Sequence, residues 1–221
     1  MLPGPHRLPV MNSLGAHLKS QALGVALLSG ILLTGPGSWG GTSAVEIQAA
    51  TRHDQRGMQL LQSGDVAGAE REFRAALSNN PDSAEVHTHL GMVLLKTGSP
   101  EAAILELQTA VRLQPRNPTA HFWLGTALRR VQNFRGATRE YRKTLELRPN
   151  DADAYFSYSR FLASRHRLDE AIAHLGRAVE LDPLSRPLQA NRALLDYFAG
   201  RYDEAGSRLR EIGRASCRER V

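Results

Sequence analysis

The sequence predicts an all-α protein, a superhelical solenoid of tandem helix–turn–helix repeats, on three observations. The first is a ladder at intervals of 34: Ala69, Ala103, Ala137, Ala171 and Ala205, with Leu60, Leu94, Leu128 and Leu162 in the same phase. The second is punctuation at the same step by Pro81, Pro115, Pro149 and Pro183. The third is a pair of apolar stripes at helical spacing inside each unit. A fixed period of this length marks stacked helical hairpins, each burying its apolar face against the next. The repeats fall at 50–83, 84–117, 118–151 and 152–185, with a truncated fifth at 186–212.

In the first repeat, Asp65 is a cap for the second helix and Gly64 stands in the turn before it. In the second, Val86, Leu90, Val93 and Leu94 form one stripe and Ala103, Ile104, Leu107, Ala110 and Val111 the other. Steps of three and four place each stripe on one helix face. Ser99-Pro100-Glu101 supplies a cap, a proline at the first helical position and an acid in the first turn. Asn117-Pro118 opens the third repeat in the same way, and Asn133 caps its second helix. The prolines cannot continue the preceding helix, so they close each unit. Gly98 and Gly200 occupy the turns of the second and fifth hairpins. Gly57, Gly91, Gly125, Ser159 and Ala193 at position 8, with the alanines at position 20, are expected where the paired helices cross closely.

Positions 7, 8, 11, 20, 24, 27 and 32 of the second repeat read Leu90, Gly91, Leu94, Ala103, Leu107, Ala110 and Pro115. This pattern resembles the tetratricopeptide repeat. The third reads Leu124, Gly125, Leu128, Ala137, Tyr141, Thr144 and Pro149, and the fourth Tyr158, Ser159, Leu162, Ala171, Leu175, Ala178 and Pro183. The resemblance runs from Ala50 to Ile212. Thr144, Ser159, Arg56 and Arg192 depart from it.

The resemblance implies that the first helices line a concave groove through positions 2, 5, 6, 9, 12 and 13. Carried onto this chain, those positions give Thr88 and Met92 in the second repeat, Phe122, Trp123, Thr126, Arg129 and Arg130 in the third, and Phe156 and Arg160 in the fourth. The resulting aromatic and basic strip suits a protein or peptide partner with apolar anchors and an acidic group. Partial packing of Trp123 and Phe156 against adjoining helices is the alternative. Family members that grip a free carboxylate carry Lys and Asn at positions 5 and 9 of their first repeat. Asp54 and Met58 stand there instead, so that clamp is absent.

Residues 1–44 contain no acid, two basic side chains at Arg7 and Lys19, and an apolar run at 22–33. This reads as a secretory signal, cleaved after Ala44 or near Ser38–Gly40, with Met11 as an alternative start. The run is shorter than the ~20 residues of a membrane span. Export to a periplasm or the exterior is therefore expected, with no stable membrane insertion after cleavage; a retained inner-membrane anchor is the alternative. Residues 211–221 break the repeat pattern and resemble translated sequencing-adapter read-through, so a non-native tail is expected there.

The net charge of +6 shrinks to +3 when residues 1–44 and 211–221 are set aside, which argues against nucleic acid as a partner. Arg129, Arg130, Arg135, Arg139, Arg142, Lys143 and Arg148 read as a solvated face, with Arg142 and Lys143 in reach of Glu146. The one cysteine, Cys217, permits no disulfide framework. His87 and His121 are expected at the core edge, and His87-Thr88-His89 is a poor metal site because its rings diverge. No phosphate loop, zinc spacing or nucleophile motif occurs, so neither catalysis nor a cofactor is expected. The expected function is an exported, bacterial-type scaffold that binds a protein or peptide. The alternatives are the recognition arm of a longer enzyme, and self-association through open solenoid ends.

Overall fold

A computed structural model of the chain describes residues 43–218. The expected signal, apart from Ser43 and Ala44, lies outside the described residues, as does the end of the expected tail. Among the described residues there are helices and no strands: α1 (Ala44–Ser63), α2 (Val66–Asn79), α3 (Ala84–Lys96), α4 (Pro100–Leu113), α5 (Pro118–Arg130), α6 (Phe134–Leu147), α7 (Ala152–Ala163), α8 (Leu168–Leu181), α9 (Arg186–Phe198) and α10 (Tyr202–Arg218). They pack as consecutive hairpins, and each second helix also packs on the first helix of the next hairpin. None is long and apolar enough to cross a membrane.

Asp65, Asn117 and Asn133 accept backbone hydrogen bonds from Gly68, Thr119 and Ala120, and Gly136, as caps should. Ser99 departs from expectation: its side chain makes no capping bond, and Pro100 alone marks that start. Residues 44–49, ahead of the first repeat, are helical as well. Ser43 accepts from the Glu46 N–H while the Glu46 carboxylate accepts from the Ser43 N–H, a reciprocal box that opens α1 at Ala44. The fifth hairpin pairs α9 with α10. Its second helix runs on to Arg218, longer than α8, because no proline interrupts it.

All five hairpins turn the same way. The N–H groups of Asp65, Ser99, Asn133, Arg167 and Arg201 bond to the carbonyls of Leu60, Leu94, Leu128, Leu162 and Asp196, always five residues back. This closure needs a left-handed residue just before the donor. Gly64, Gly98 and Gly200 supply it at φ 78–89°; Gln132 and His166 supply it at φ 60° and 57° despite their side chains.

At the close approach within a hairpin, position 8 meets position 24. A Cβ on Gly57 would lie 2.6 Å from the Phe73 ring, and one on Gly91 2.5 Å from Leu107 Cγ. Ala69, Ala103, Ala137 and Ala171 are fully buried. Thr144 and Ser159 are tolerated inside because their hydroxyls donate to the carbonyls of Glu140 and Phe156.

Candidate peptide-binding groove

The first helices α5 and α7 and the second helix α6 enclose a cleft of about 360 Å³. Phe122 and Trp123 form one wall, edge to face at 5.2 Å, and Phe122 also rests against Tyr141 at 6.1 Å. Thr126 donates to the Phe122 carbonyl, which leaves its oxygen to accept from the Tyr141 hydroxyl at 3.1 Å. Arg129 closes one side. Ser157, Arg160, Phe161 and Ser164 form the facing wall on α7. This arrangement can take an apolar side chain between rings and present guanidinium groups at its rim.

A second, larger cleft of about 480 Å³ lies between α7, α8 and α9. Phe156 and Arg160 line it together with Leu175, Leu194, Leu195 and Phe198. The nine expected groove residues thus divide. Phe122, Trp123, Thr126 and Arg129 share the first cleft with Arg160; Phe156 faces the second. Met92 is half-buried on α3 and lines neither.

Two more of the expected residues line neither cleft. Thr88 is 2% exposed and its hydroxyl donates to the Ala84 carbonyl, because α3 is apolar on almost every side. Arg130 reaches back to donate to the Leu95 carbonyl at 2.6 Å, tying α5 to the end of α3. Its guanidinium caps a neighbouring helix end.

Sequence reasoning missed Tyr141 and Phe161, the floor of the first cleft, because they sit at core positions. It also missed Leu194 and Phe198, although positions 9 and 13 of the fifth repeat would have named them.

The most regular polar feature lies away from the groove. His53, His87 and His121 at position 4 contact Glu72, Glu106 and Glu140 at position 23, at 2.6–2.7 Å. The other ring nitrogens of His87 and His121 donate to the carbonyls of Pro81 and Pro115. An acceptor on each side favours the doubly protonated imidazolium form of these two rings. Hydrogen bonds to Glu106 and Glu140 hold both above the ordinary histidine value, against the pull of burial. Burial alone would raise the Glu140 carboxyl, yet bonds from His121 and Arg139 keep it below the usual carboxylate range. In the fourth repeat Tyr155 and His174 take the two positions and stack at 5.8 Å; burial lowers the His174 value.

The basic face of α6 is partly compensated, with Arg139 on Glu140 and Lys143 on Glu146. His89 bonds Asp54 rather than joining His87, and no metal-holding cluster occurs among the described residues.

The tetratricopeptide repeat model matches residues 55–118, 94–130 and 124–186, more than half of the chain. The chain belongs to the tetratricopeptide repeat family. Solved structures agree in fold. MamA from Desulfovibrio magneticus RS-1 has a TM-score of 0.70 at 16% identity, covering 82% of this chain and all of that one. Pseudomonas aeruginosa PilF scores 0.69 at 20% identity, covering 77% and 78%. YrrB, a repeat protein described as having an unusual peptide-binding site, scores 0.58 at 21% identity, covering 74% and 84%. No curated protein matches the sequence at a significant level. As a tetratricopeptide repeat protein, the chain has a scaffold fold suited to protein–protein interaction.

Proposed function

We propose that the protein is an exported, non-catalytic scaffold that holds a protein or peptide partner in the groove of its third to fifth repeats. The observation that carries this reading is the cleft in which Phe122, Trp123 and Thr126 meet Arg129 and Arg160. It joins an apolar slot to cationic groups, the combination that dominates binding energy at protein interfaces. The peptide-binding site of YrrB gives the reading a precedent within the same fold. The acid-free, apolar start of the chain supports export.

A photoreactive amino acid placed at Ser157 or Ser164, in the cleft, is expected to cross-link a discrete partner in native cells. The same group at exposed Glu101 on α4 should give none. Trp123→Ala with Arg129→Ala should abolish the cross-link while circular dichroism stays unchanged. Cross-linking that is equal at Glu101, or that survives the double substitution, would refute the groove reading. Export is checked by N-terminal sequencing of fractionated protein; a product that begins before Ala22 counts against cleavage.

A further inference from the structure

We infer that the groove recognises one extended acidic segment of the partner at two places. An apolar side chain fills each cleft, and Arg160 pairs with a carboxylate between them. This rests on the groove reading above and specifies its ligand.

Helix α7 is the shared wall. Ser157, Phe161 and Ser164 face the α5 cleft, Ser159 and Ala163 face the α9 cleft, and Arg160 lines both. The Arg160 guanidinium lies 5.6 Å from the Phe156 ring centre. No carboxylate among the described residues pairs with Arg160 or Arg129, although Arg139, Arg148, Arg167 and Arg177 all have acidic partners. Two such cations on opposite walls of the first cleft, Arg129 on α5 and Arg160 on α7, complement an anionic group that comes from outside.

The second cleft is walled mainly by carbon. Leu194 and Phe198 remain 51% and 62% exposed there, although large apolar side chains gain most from burial. The groove narrows in chemistry toward the N-terminus, where His89 bonds Asp54 and so occupies the corresponding polar groups.

Neighbouring packed helices lie roughly 8–10 Å apart, and an extended polyproline II segment advances about 3.1 Å per residue and returns to the same face every three residues. Side chains three residues apart therefore reach the two clefts, and a residue between them meets Arg160. The ligand class is a segment with apolar residues at i and i+3 and Asp or Glu at i+1 or i+2. Paired apolar slots favour such a peptide over a nucleic acid or a lipid headgroup, which would use the charge and leave the slots empty.

The test is selection of random short peptides displayed on phage against the full chain. Fluorescence anisotropy of the labelled consensus peptide then measures binding to the parent and to variants. The expected consensus is an acid flanked by apolar residues three apart. Arg160→Glu should weaken binding roughly tenfold or more, the size of a hot-spot loss, and a peptide with Lys in place of the acid should restore it. Phe198→Ala should weaken the consensus peptide but not one with Ala at the second apolar position. A consensus without an acid, or binding unchanged in Arg160→Glu, overturns the inference. If Trp123→Ala abolishes binding while Arg160→Glu and Phe198→Ala do not, the groove reading stands and the two-cleft ligand falls. If no peptide is enriched, or all variants bind as the parent does, both fall. Thermal melts of each variant separate lost binding from lost folding.

Discussion

In the second repeat, positions 7 and 11 hold Leu90 and Leu94, both buried in a continuous apolar core. In the fifth, the same positions hold Arg192 and Asp196, and Asp196 is 1% exposed between Arg192 at 3.3 Å and Arg208 at 2.9 Å. The backbone turn is the same in both, down to the bond that closes it. One hairpin geometry thus accepts either a leucine layer or an ion-paired one. The two differ in what holds them. Leucine burial stabilises directly, whereas a buried ion pair roughly cancels its own desolvation and becomes costly only when broken. The fifth repeat also exposes Leu194, Tyr197, Phe198, Tyr202 and Leu209.

The largest effect should come from breaking this contrast at position 11. Leu94→Ala is expected to cost about 2–5 kcal/mol, a transfer loss plus a cavity. Asp196→Ala should cost about 1–3 kcal/mol because it leaves the partly buried Arg192 without its acceptor. Its effect should be confined to α9 and α10, seen as faster amide exchange there and not in α3 or α4. Replacing the pair by leucines, Arg192→Leu with Asp196→Leu, should be neutral or stabilising. Denaturant titration of the three proteins checks the order; a double variant less stable than Asp196→Ala would refute the ion-pair account.

A similar contrast separates the second and third hairpins. A Cβ on Gly91 would meet Leu107 at 2.5 Å, but one on Gly125 would meet Tyr141 at 3.3 Å. Gly91→Ala should therefore cost about 1–3 kcal/mol through overpacking. Gly125→Ala should lie near zero, since the helix-propensity gain of about 1 kcal/mol offsets the tighter contact. Equal losses on thermal melting would show that position 24 does not set the spacing.

The histidines give the repeats opposite responses to pH. His87 and His121 are raised above 6.5, so their contribution is fully present below 6.5 and is lost as pH climbs through the raised values. His174 is lowered, so its contribution is present above 6.5 and is lost as pH falls through the lowered value. Stability measured across pH should decline on the alkaline side, and His87→Gln with His121→Gln should flatten that limb. His174→Phe should flatten only the acid limb. If the double variant kept the full alkaline decline, the imidazolium assignment would be wrong.

The hairpins, the prolines that end them, and the caps at Asp65, Asn117 and Asn133 were all legible in the sequence because each depends on residues a few positions apart. The start of α1 was obscured because Ser43 and Ala44 suit a cleavage site as well as a helix cap. In the groove, helical register identified a face but not its access. Phe122, Trp123 and Arg129 meet in one cleft, whereas Thr88 is covered by neighbouring helices and Arg130 is drawn to a carbonyl 35 residues away. Those outcomes depend on how repeats stack, which no single repeat encodes. The histidine–glutamate rungs were readable in principle: 53, 87 and 121 keep the 34-residue step, and so do 72, 106 and 140.

The smallest expected effect concerns the turns, where glycine was read as helpful and the structure shows what replaces it. Gln132 holds φ 60° where Gly64, Gly98 and Gly200 hold the same left-handed region. An L-residue pays about 1–2 kcal/mol for that conformation, and glycine forfeits part of the gain through its greater freedom when unfolded. Gln132→Gly should thus raise stability by roughly 0.5–1 kcal/mol, and Gly98→Gln should lower it by a similar amount. Gln132 is exposed and outside both clefts, so neither binding nor packing confuses the measurement. If Gln132→Gly proved destabilising, the side chain would have to supply something more than its backbone shape. The five turns would then be alike in geometry but not in what maintains it.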